Sequence, residues 1–296
     1  MTELFQLLAN GLVTGSIIAL GAIGLTLVYG ILRIVNFAHG DYLTFGAFMA
    51  FVANVTWGVP IAAAVLFAMA TTALMGASLE FALWRPMRRK QAGIISLFIT
   101  SIGLALVIRH TLLLGWGAQP RRLDVDVFQV YDLGPIRLSR SQLVVIVVAF
   151  TTIFLVGFAL ARTRLGKAMR ALADNADLAS VAGVDVDRVT TYTWIVGSAL
   201  AGLAGVLQGL VQNSFNPNMG FSLLLPIFAA VLLGGAGSAY GALAGGLALG
   251  VAMELSTWDA LIGGVNPAWK PVVAFAVLIF VLMLRPQGVL GKARVA

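Results

Sequence analysis

Repeated apolar runs, each close to the length that crosses a bilayer, constrain this chain more than any other feature. A helix needs about 20 apolar residues to cross a hydrocarbon core of roughly 30 Å. Segments 7–32, 41–57, 60–84, 93–115, 142–162, 190–212, 223–236, 239–256 and 269–285 meet or approach that length. None alternates apolar and polar residues over ten-residue stretches as a barrel strand does. Backbone polar groups in hydrocarbon must be paired within their own segment, so the runs read as helices. The fold class is therefore all-α: a polytopic transmembrane helical bundle of about eight to ten membrane elements, some short or broken. Segments 223–236 and 239–256 read either as two tilted spans or as half-crossing helices, and 33–57 has the same ambiguity.

Composition agrees. Of 296 residues, 60% are hydrophobic and 10% charged, against about 25% charged in a soluble domain. Much of a globule's surface stays in water, so a soluble chain cannot hide such a surplus. A soluble enzyme, a nucleic-acid reader and a disordered tail are excluded, and residues 1–296 read as a single transmembrane domain with the lipid bilayer as solvent. With no cysteine there is no thiolate site. The N-terminus carries Glu3 and no Lys or Arg before Arg33, so it lacks the positive region of a signal peptide.

The basic residues orient the spans. Arg33, the stretch 85–92, the loop 162–190 and the C-terminus together hold thirteen Lys and Arg, Lys292 and Arg294 among them. Arg121, Arg122, Arg137, Arg140 and Lys270 lie on the other side, with Arg109 near that end of its span. Cytoplasmic loops carry the basic excess, which puts the N-terminus outside and the C-terminus in the cytoplasm.

Glycine is abundant, and in lipid it lets helix backbones approach closely. Gly237, Gly241 and Gly245 recur every four residues, and Gly246 with Gly250 adds another step; these read as packing positions within the chain. An echo between Gly40-x5-Gly46-Ala47 and Gly235-x5-Gly241-Ala242 is thin, and chance in a Gly/Ala-rich chain explains it.

The loop of about 163–188 is the most informative polar stretch. On a 3.6-residue period Met169, Leu172, Ala176 and Ala179 share one face, and Arg170, Asp174 and Asp177 another. This predicts a short amphipathic helix over 166–181, with Gly183 as its stop and Asp185 or Asp187 capping the next span. An interfacial helix lying on headgroups is the alternative. Its small, alanine-rich apolar face and mixed charges suit a groove on a cytoplasmic protein better.

Three ordered motifs then carry a family resemblance. They are Leu27-Val-Tyr-Gly-Ile-Leu-Arg-Ile-Val-Asn-Phe-Ala-His-Gly-Asp41; Gly166-Lys-Ala-Met-Arg-Ala-Leu-Ala-Asp-Asn175, running on to Ala182-Gly183-Val184 and Gly197-Ser-Ala-Leu-Ala-Gly-Leu-Ala-Gly205; and Phe228-Ala-Ala-Val-Leu-Leu-Gly-Gly-Ala-Gly-Ser238 with Gly241 and Ala242. The chain resembles the branched-chain amino acid ABC transporter permeases of the high-affinity leucine/isoleucine/valine permease H type from about residue 8 to 290. Urea and short-amide permeases are close relatives, so the resemblance is less specific for substrate.

The resemblance implies a bacterial inner-membrane permease subunit. Its partners would be a second homologous permease chain, two ATP-binding subunits that carry the ATP and Mg, and a periplasmic amino-acid-binding protein. It also implies that the loop helix is a coupling helix seated in an ATPase groove. By position, Arg170, Ala171, Asp174, Asn175, Ala179 and Gly183 carry over to that role. Ala171 and Ala179 would allow close approach, Arg170 and Asp174 would offer polar contacts, and Gly183 would turn the chain back.

No GxxxxGK[ST] loop is present: Ala161 and Pro286 stand where the first glycine belongs before the two Gly-Lys pairs. The chain is thus expected to have no cofactor, no catalytic residue and an energy source in a partner or an ion gradient. The alternative is an ion-coupled secondary carrier or channel for a small polar solute. His39 and His110 are isolated, so no metal site is expected.

Ionisable residues within lipid are candidates for function. Asn36, His39, Gly40 and Asp41 are the cluster expected to form a pathway wall or gate, near the cytoplasmic start of a short segment. Glu80 lies one turn from an inside end and Glu254 near an outside end. In 213–222, the uncharged Asn213, Asn216 and Asn218 are candidates for the pathway mouth. The arginines and aspartates of 116–141 read either as a contact for a solute-binding partner or as a solvated loop.

Overall fold

A computed structural model describes residues 2–125, 129–235, 237–285 and 288. Ala236, Pro286, Lys292 and Arg294, named above, lie outside the described residues. In chain order, α1 (Thr2–Leu32) precedes α2 (His39–Phe51), which ends in a π-helical turn over Val52–Thr56. Helix α3 (Ile61–Leu79) runs through a second π-helical turn, Glu80–Trp84, into α4 (Arg85–Arg89). Then come α5 (Ile94–Trp116), an antiparallel hairpin of β1 (Val130–Leu133) and β2 (Ile136–Ser139), and α6 (Arg140–Arg162). The loop helices α7 (Arg164–Asp174) and α8 (Ala176–Val181) lead to α9 (Val186–Gln212), α10 (Met219–Gly234) and α11 (Ala239–Leu255). Helix α12 (Asp259–Ile262), a 3₁₀ turn at Pro267–Trp269 and α13 (Lys270–Leu284) complete the order.

Among the described residues, six stretches are long and apolar enough to cross a membrane: Thr2–Leu32, Ile61–Arg89, Ile94–Trp116, Arg140–Arg162, Val186–Gln212 and Pro267–Leu284. Helices α10 and α11 are shorter apolar elements, and α2 with its π turn is a third short one. The protein is a polytopic helical bundle, as the apolar runs imply. Helices α1 and α9 are buried along most of their length, whereas α3, α5, α6 and α13 keep most of one face outward.

Glycine explains how the centre closes. Helix α11 runs antiparallel to α1, with Gly237 beside Gly30, Gly246 beside Ala19 and Gly250 beside Gly15. A quarter-turn away, Gly241 meets Gly234 and Gly245 meets the Ala230 carbonyl, closing α11 onto α10. The two glycine series of α11 therefore face different neighbours, and a methyl group on Gly234, Gly241, Gly245, Gly246 or Gly250 would collide with backbone, while the Gly30–Gly237 approach is looser. The Gly40/Gly235 echo has no structural counterpart: Gly40 is the second residue of α2, while Gly235 lies four residues before α11.

One end of the bundle is basic. There the Arg33 guanidinium reaches the Ala173 carbonyl at 3.5 Å, and Arg85 and Arg89 both pair with Asp187 in the first turn of α9. At the opposite end Gln6 exchanges hydrogen bonds with the Arg137 backbone of β2, and Lys270 pairs with Glu254 at 2.7 Å.

Candidate translocation gate and coupling face

Helix α1 stops at Leu32, and Arg33 adopts a left-handed conformation (φ 54°) that turns the chain back between the helices. The connection to α2 is held by Ser101 of α5. Its Oγ accepts from the Phe37 N–H at 3.2 Å and donates to the Val35 carbonyl at 3.2 Å. Phe37 packs between Phe98 and Phe228. The Asn36 side-chain oxygen accepts from the Ala38 N–H at 3.1 Å, a local turn that starts α2.

His39 then lies against α1, with Nε2 2.9 Å from the Gly21 carbonyl. Gly21 is eleven residues before the end of α1, or about 16 Å at 1.5 Å per residue. Asp41 meets Arg109 of α5, seven residues before that helix ends at Trp116, about 10 Å below its tip. These depths correct the expectation that His39 and Asp41 sit near the cytoplasmic start of their segment. The non-helical residues after Arg33 climb into the bundle first, and α2 begins in its interior.

The starts of α2 and α10 touch there. The Gly40 backbone lies directly against Gly220, and the Thr44 hydroxyl accepts from the Gly220 N–H at 2.9 Å. Asp41 is fully buried, and its carboxylate takes two hydrogen bonds from Arg109, at 2.9 and 3.1 Å. The same guanidinium stacks over Phe221, 4.5 Å from the ring centroid. One arginine thus ties α5 to the first turns of two helices. A buried arginine left without a counter-charge would be costly, and two hydrogen bonds plus an aromatic face satisfy it.

Below the opposite end, a cavity of about 280 Å³ opens above this junction, lined by Gln208, Gln212, Ser214, Asn216, Asn218 and Ser222 together with apolar neighbours. Among the described residues, no charged side chain lines it. Asn216 shapes it by accepting from the Asn218 N–H at 2.9 Å. A backbone bridge between Phe215 and Arg121 holds its rim. Asn216 and Asn218 thus come together on one wall, whereas Asn213 ends α9 in a left-handed conformation and is not part of the lining. Gln208 and Gln212, on the C-terminal part of α9, escaped the sequence reading because glutamine in an apolar helix looks like a packing residue.

At the basic end, the loop between α6 and α9 holds two helices where the sequence predicts one. Asn175 breaks the run with extended angles (φ −155°, ψ 111°), and its side chain caps α8 by accepting from the Leu178 N–H at 2.9 Å. Thr163 caps α7 in the same way, through Gly166, and Asp185 caps α9. Met169, Leu172 and Ala179 are buried with Val189 in a small core of their own, against Ile31, Leu160 and Val186 among others. Ala176 falls on the exposed side because of the break, which corrects its expected place on the apolar face.

Arg170, Ala171, Asp174, Asn175 and Gly183 are exposed. Ala179 is 4% exposed and faces this chain's own core, so it offers no surface for close approach by a partner. The open face instead carries Leu178 and Val181, which are 71% and 91% exposed. The helix-period reading missed them because it runs unbroken through Asn175.

Glu80 is fully buried in the π-helical turn of α3 and paired with Arg88, and Glu254 accepts from Thr14 as well as Lys270. Among the described residues, no three His, Asp or Glu side chains cluster as metal ligands would.

Residues 7–282 match the family described as branched-chain amino acid transport system / permease component. The chain is 35% identical to the high-affinity branched-chain amino acid transport system permease protein BraD of Pseudomonas aeruginosa, covering 98% of this chain and 96% of that one. To LivH of Escherichia coli, which bears the same description, it is 34% identical with the same coverage. It is 28% identical to a probable branched-chain amino acid transport permease protein LivH of Methanocaldococcus jannaschii, covering 97% and 92% of the two chains. Its fold is similar to that of a solved chain of PsaBC from Streptococcus pneumoniae, with a TM-score of 0.52, 14% identity and 94% and 91% coverage. Full-length identity and the family match together make this chain a member of the branched-chain amino acid transport system permease family.

Proposed function

We propose that the chain is the membrane permease subunit of an ATP-driven importer that carries branched-chain amino acids into the cytoplasm. It would sit in a bacterial inner membrane with its basic end in the cytoplasm and its N-terminus outside, following the positive-inside rule. ATP and Mg belong to two partner ATP-binding subunits, and this chain contributes no cofactor or catalytic group. A second homologous permease chain completes the pathway, and a periplasmic binding protein delivers the solute at the polar cavity.

The construction of α7 and α8 carries this reading. One face is anchored on Ile31 of α1, Leu160 of α6 and Val189 of α9, and the other presents Arg170, Ala171, Asp174, Leu178 and Val181 outward. A push on the outer face is delivered to the helices that frame the gate. Arg33, which touches the Ala173 carbonyl, begins the connection that ends at His39 and Asp41. Movement of α7 is therefore linked through the six non-helical residues 33–38 to the α2–α5–α10 junction.

The neutral cavity suits a zwitterion. Amide side chains donate to a carboxylate and accept from an ammonium, and among the described lining residues no charged side chain competes with either. The test is uptake in proteoliposomes holding this chain with its co-purified subunits. Leucine uptake should require internal or external ATP at the ATPase face and ignore proton and sodium gradients. Uptake driven by a gradient without ATPase subunits would overturn the reading in favour of a secondary carrier.

A further inference from the structure

A second cavity, lined by charged residues, lies at the basic end, apart from the gate and from α7 and α8. Its volume is about 420 Å³, and Phe81, Arg85, Pro86, Arg89 and Lys90 line it. Its cations outnumber the acids beside them. Arg85 and Arg89 share the single carboxylate of Asp187, Arg88 occupies Glu80, and Lys90 has no ion-pair partner among the described residues. Four basic side chains against two acids leave two positive charges. Arg85 stands in the cavity wall with its Nη2 held by Asp187 and its Nε buried without a partner among the described residues.

The surface leading to this cavity is apolar. Leu66, Leu74 and Phe81 are each more than half exposed and recur at steps of eight and seven residues, a single stripe along α3. Phe81 ends the stripe beneath the Arg85 guanidinium, 5.7 Å from its ring centroid. Hydrocarbon-facing side chains thus run up to a cluster of unneutralised cations at the level where a span leaves the bilayer. A soluble anion would use only the upper half of that arrangement.

We propose that this cavity binds an anionic phospholipid. The phosphodiester would sit on Arg89 and Lys90 with the Arg85 guanidinium in the wall beside them, and an acyl chain would lie along Leu66, Leu74 and Phe81. Basic pockets beside cytoplasmic helix ends are suited to such headgroups, and guanidinium groups pair with phosphate oxygens in planar geometry. Arg85 and Arg89 also hold the first turn of α9, so a bound lipid would brace the joint between α4 and α9.

The test uses the purified full-length chain in a neutral detergent, with lipid binding read by native mass spectrometry. Phosphatidylglycerol, phosphatidylcholine with the same acyl chains, and glycerol phosphate are titrated in parallel. Phosphatidylglycerol should bind roughly tenfold more tightly than phosphatidylcholine, and R89A/K90A should remove about tenfold of its affinity while leaving phosphatidylcholine unchanged. If that double variant is unstable, Lys90→Gln alone should lower affinity by about threefold. Equal binding of the two lipids, or variants that bind as the parent does, would overturn the site. Displacement of the lipid by equimolar glycerol phosphate would make it a free-anion site and overturn the lipid assignment. Loss of lipid binding on adding the ATP-binding subunits would assign the face to a protein contact and overturn it too.

Discussion

Arg109 and Asp41 form a two-point ion pair inside the helix bundle, with Nε to Oδ1 at 2.9 Å and Nη2 to Oδ2 at 3.1 Å. The residues are 68 positions apart, on the fifth and second helices. Asp41 is fully buried and the Arg109 side chain 13% exposed, so water does little to screen either. Because Arg109 also covers Phe221, the pair fixes how closely the first turns of α2 and α10 approach α5.

Removing one partner leaves the other as an uncompensated buried charge. Asp41→Asn or Arg109→Gln should each destabilise the protein by about 3–5 kcal/mol and abolish uptake. The exchange D41R/R109D restores opposite charges in the same place, although Phe221 then loses its cation. It should recover part of the melting temperature in detergent while uptake stays low. Single variants that melt with the parent would show that the pair does not hold the junction.

Backbone contact at the same junction can be probed without touching charge. A methyl group on Gly220 would meet the Gly40 carbonyl and the Thr44 hydroxyl. Gly220→Ala should cost about 1–3 kcal/mol through overpacking, read as a lower unfolding temperature. Gly103 of α5 has open space where a Cβ would go, so Gly103→Ala should leave that temperature unchanged or slightly higher. Equal effects of the two substitutions would mean that the α2–α10 contact is not tight.

The bundle was legible because apolar run length and glycine spacing act locally. The segment 142–162 becomes Arg140–Arg162, 93–115 becomes Ile94–Trp116, and the Gly241 and Gly245 contacts follow from their four-residue step. Depth was not legible. The polar residues from Asn36 to Asp41 read as the cytoplasmic start of a short segment until their contacts with Ser101, Gly21 and Arg109 are seen to hold them inside the bundle. A rule was available: an arginine within a span needs a counter-charge, and Asp41 is one of few acids within reach of lipid. The break at Asn175 was hidden for another reason. Asparagine reads equally as a polar helix position and as a cap, and only its backbone angles decide.

The loop helices make a prediction with a built-in control. The chain has no cysteine, so each introduced thiol is unique. Cysteines at Ala171, Leu178 or Val181 should crosslink to an ATP-binding subunit in the assembled transporter, read as a mass shift on a non-reducing gel. Ala179→Cys should not, because that position faces Met169, Leu172 and Val189. A crosslink from 179 equal to those from 178 and 181 would require α8 to roll out of its own core.

The polar cavity makes the last prediction, concerning solute and not stability. Gln208 is 8% exposed, and its amide is the most enclosed polar group in the lining. If the cavity takes the zwitterion, truncating Gln208 removes a hydrogen bond to a charged group, worth about 1.5–3 kcal/mol. Gln208→Ala should therefore raise the KM for leucine uptake by roughly tenfold or more, with basal ATP hydrolysis by the assembled transporter unchanged. Asn213 stands outside the lining in a left-handed conformation, so Asn213→Gly should leave KM as it is. A shared packing defect would lower the melting temperature of the Gln208 variant and reduce the maximum rate. A change confined to KM is what a binding role predicts. An unchanged KM for Gln208→Ala would remove this cavity from the pathway and leave the Asp41–Arg109 junction as its only candidate constriction.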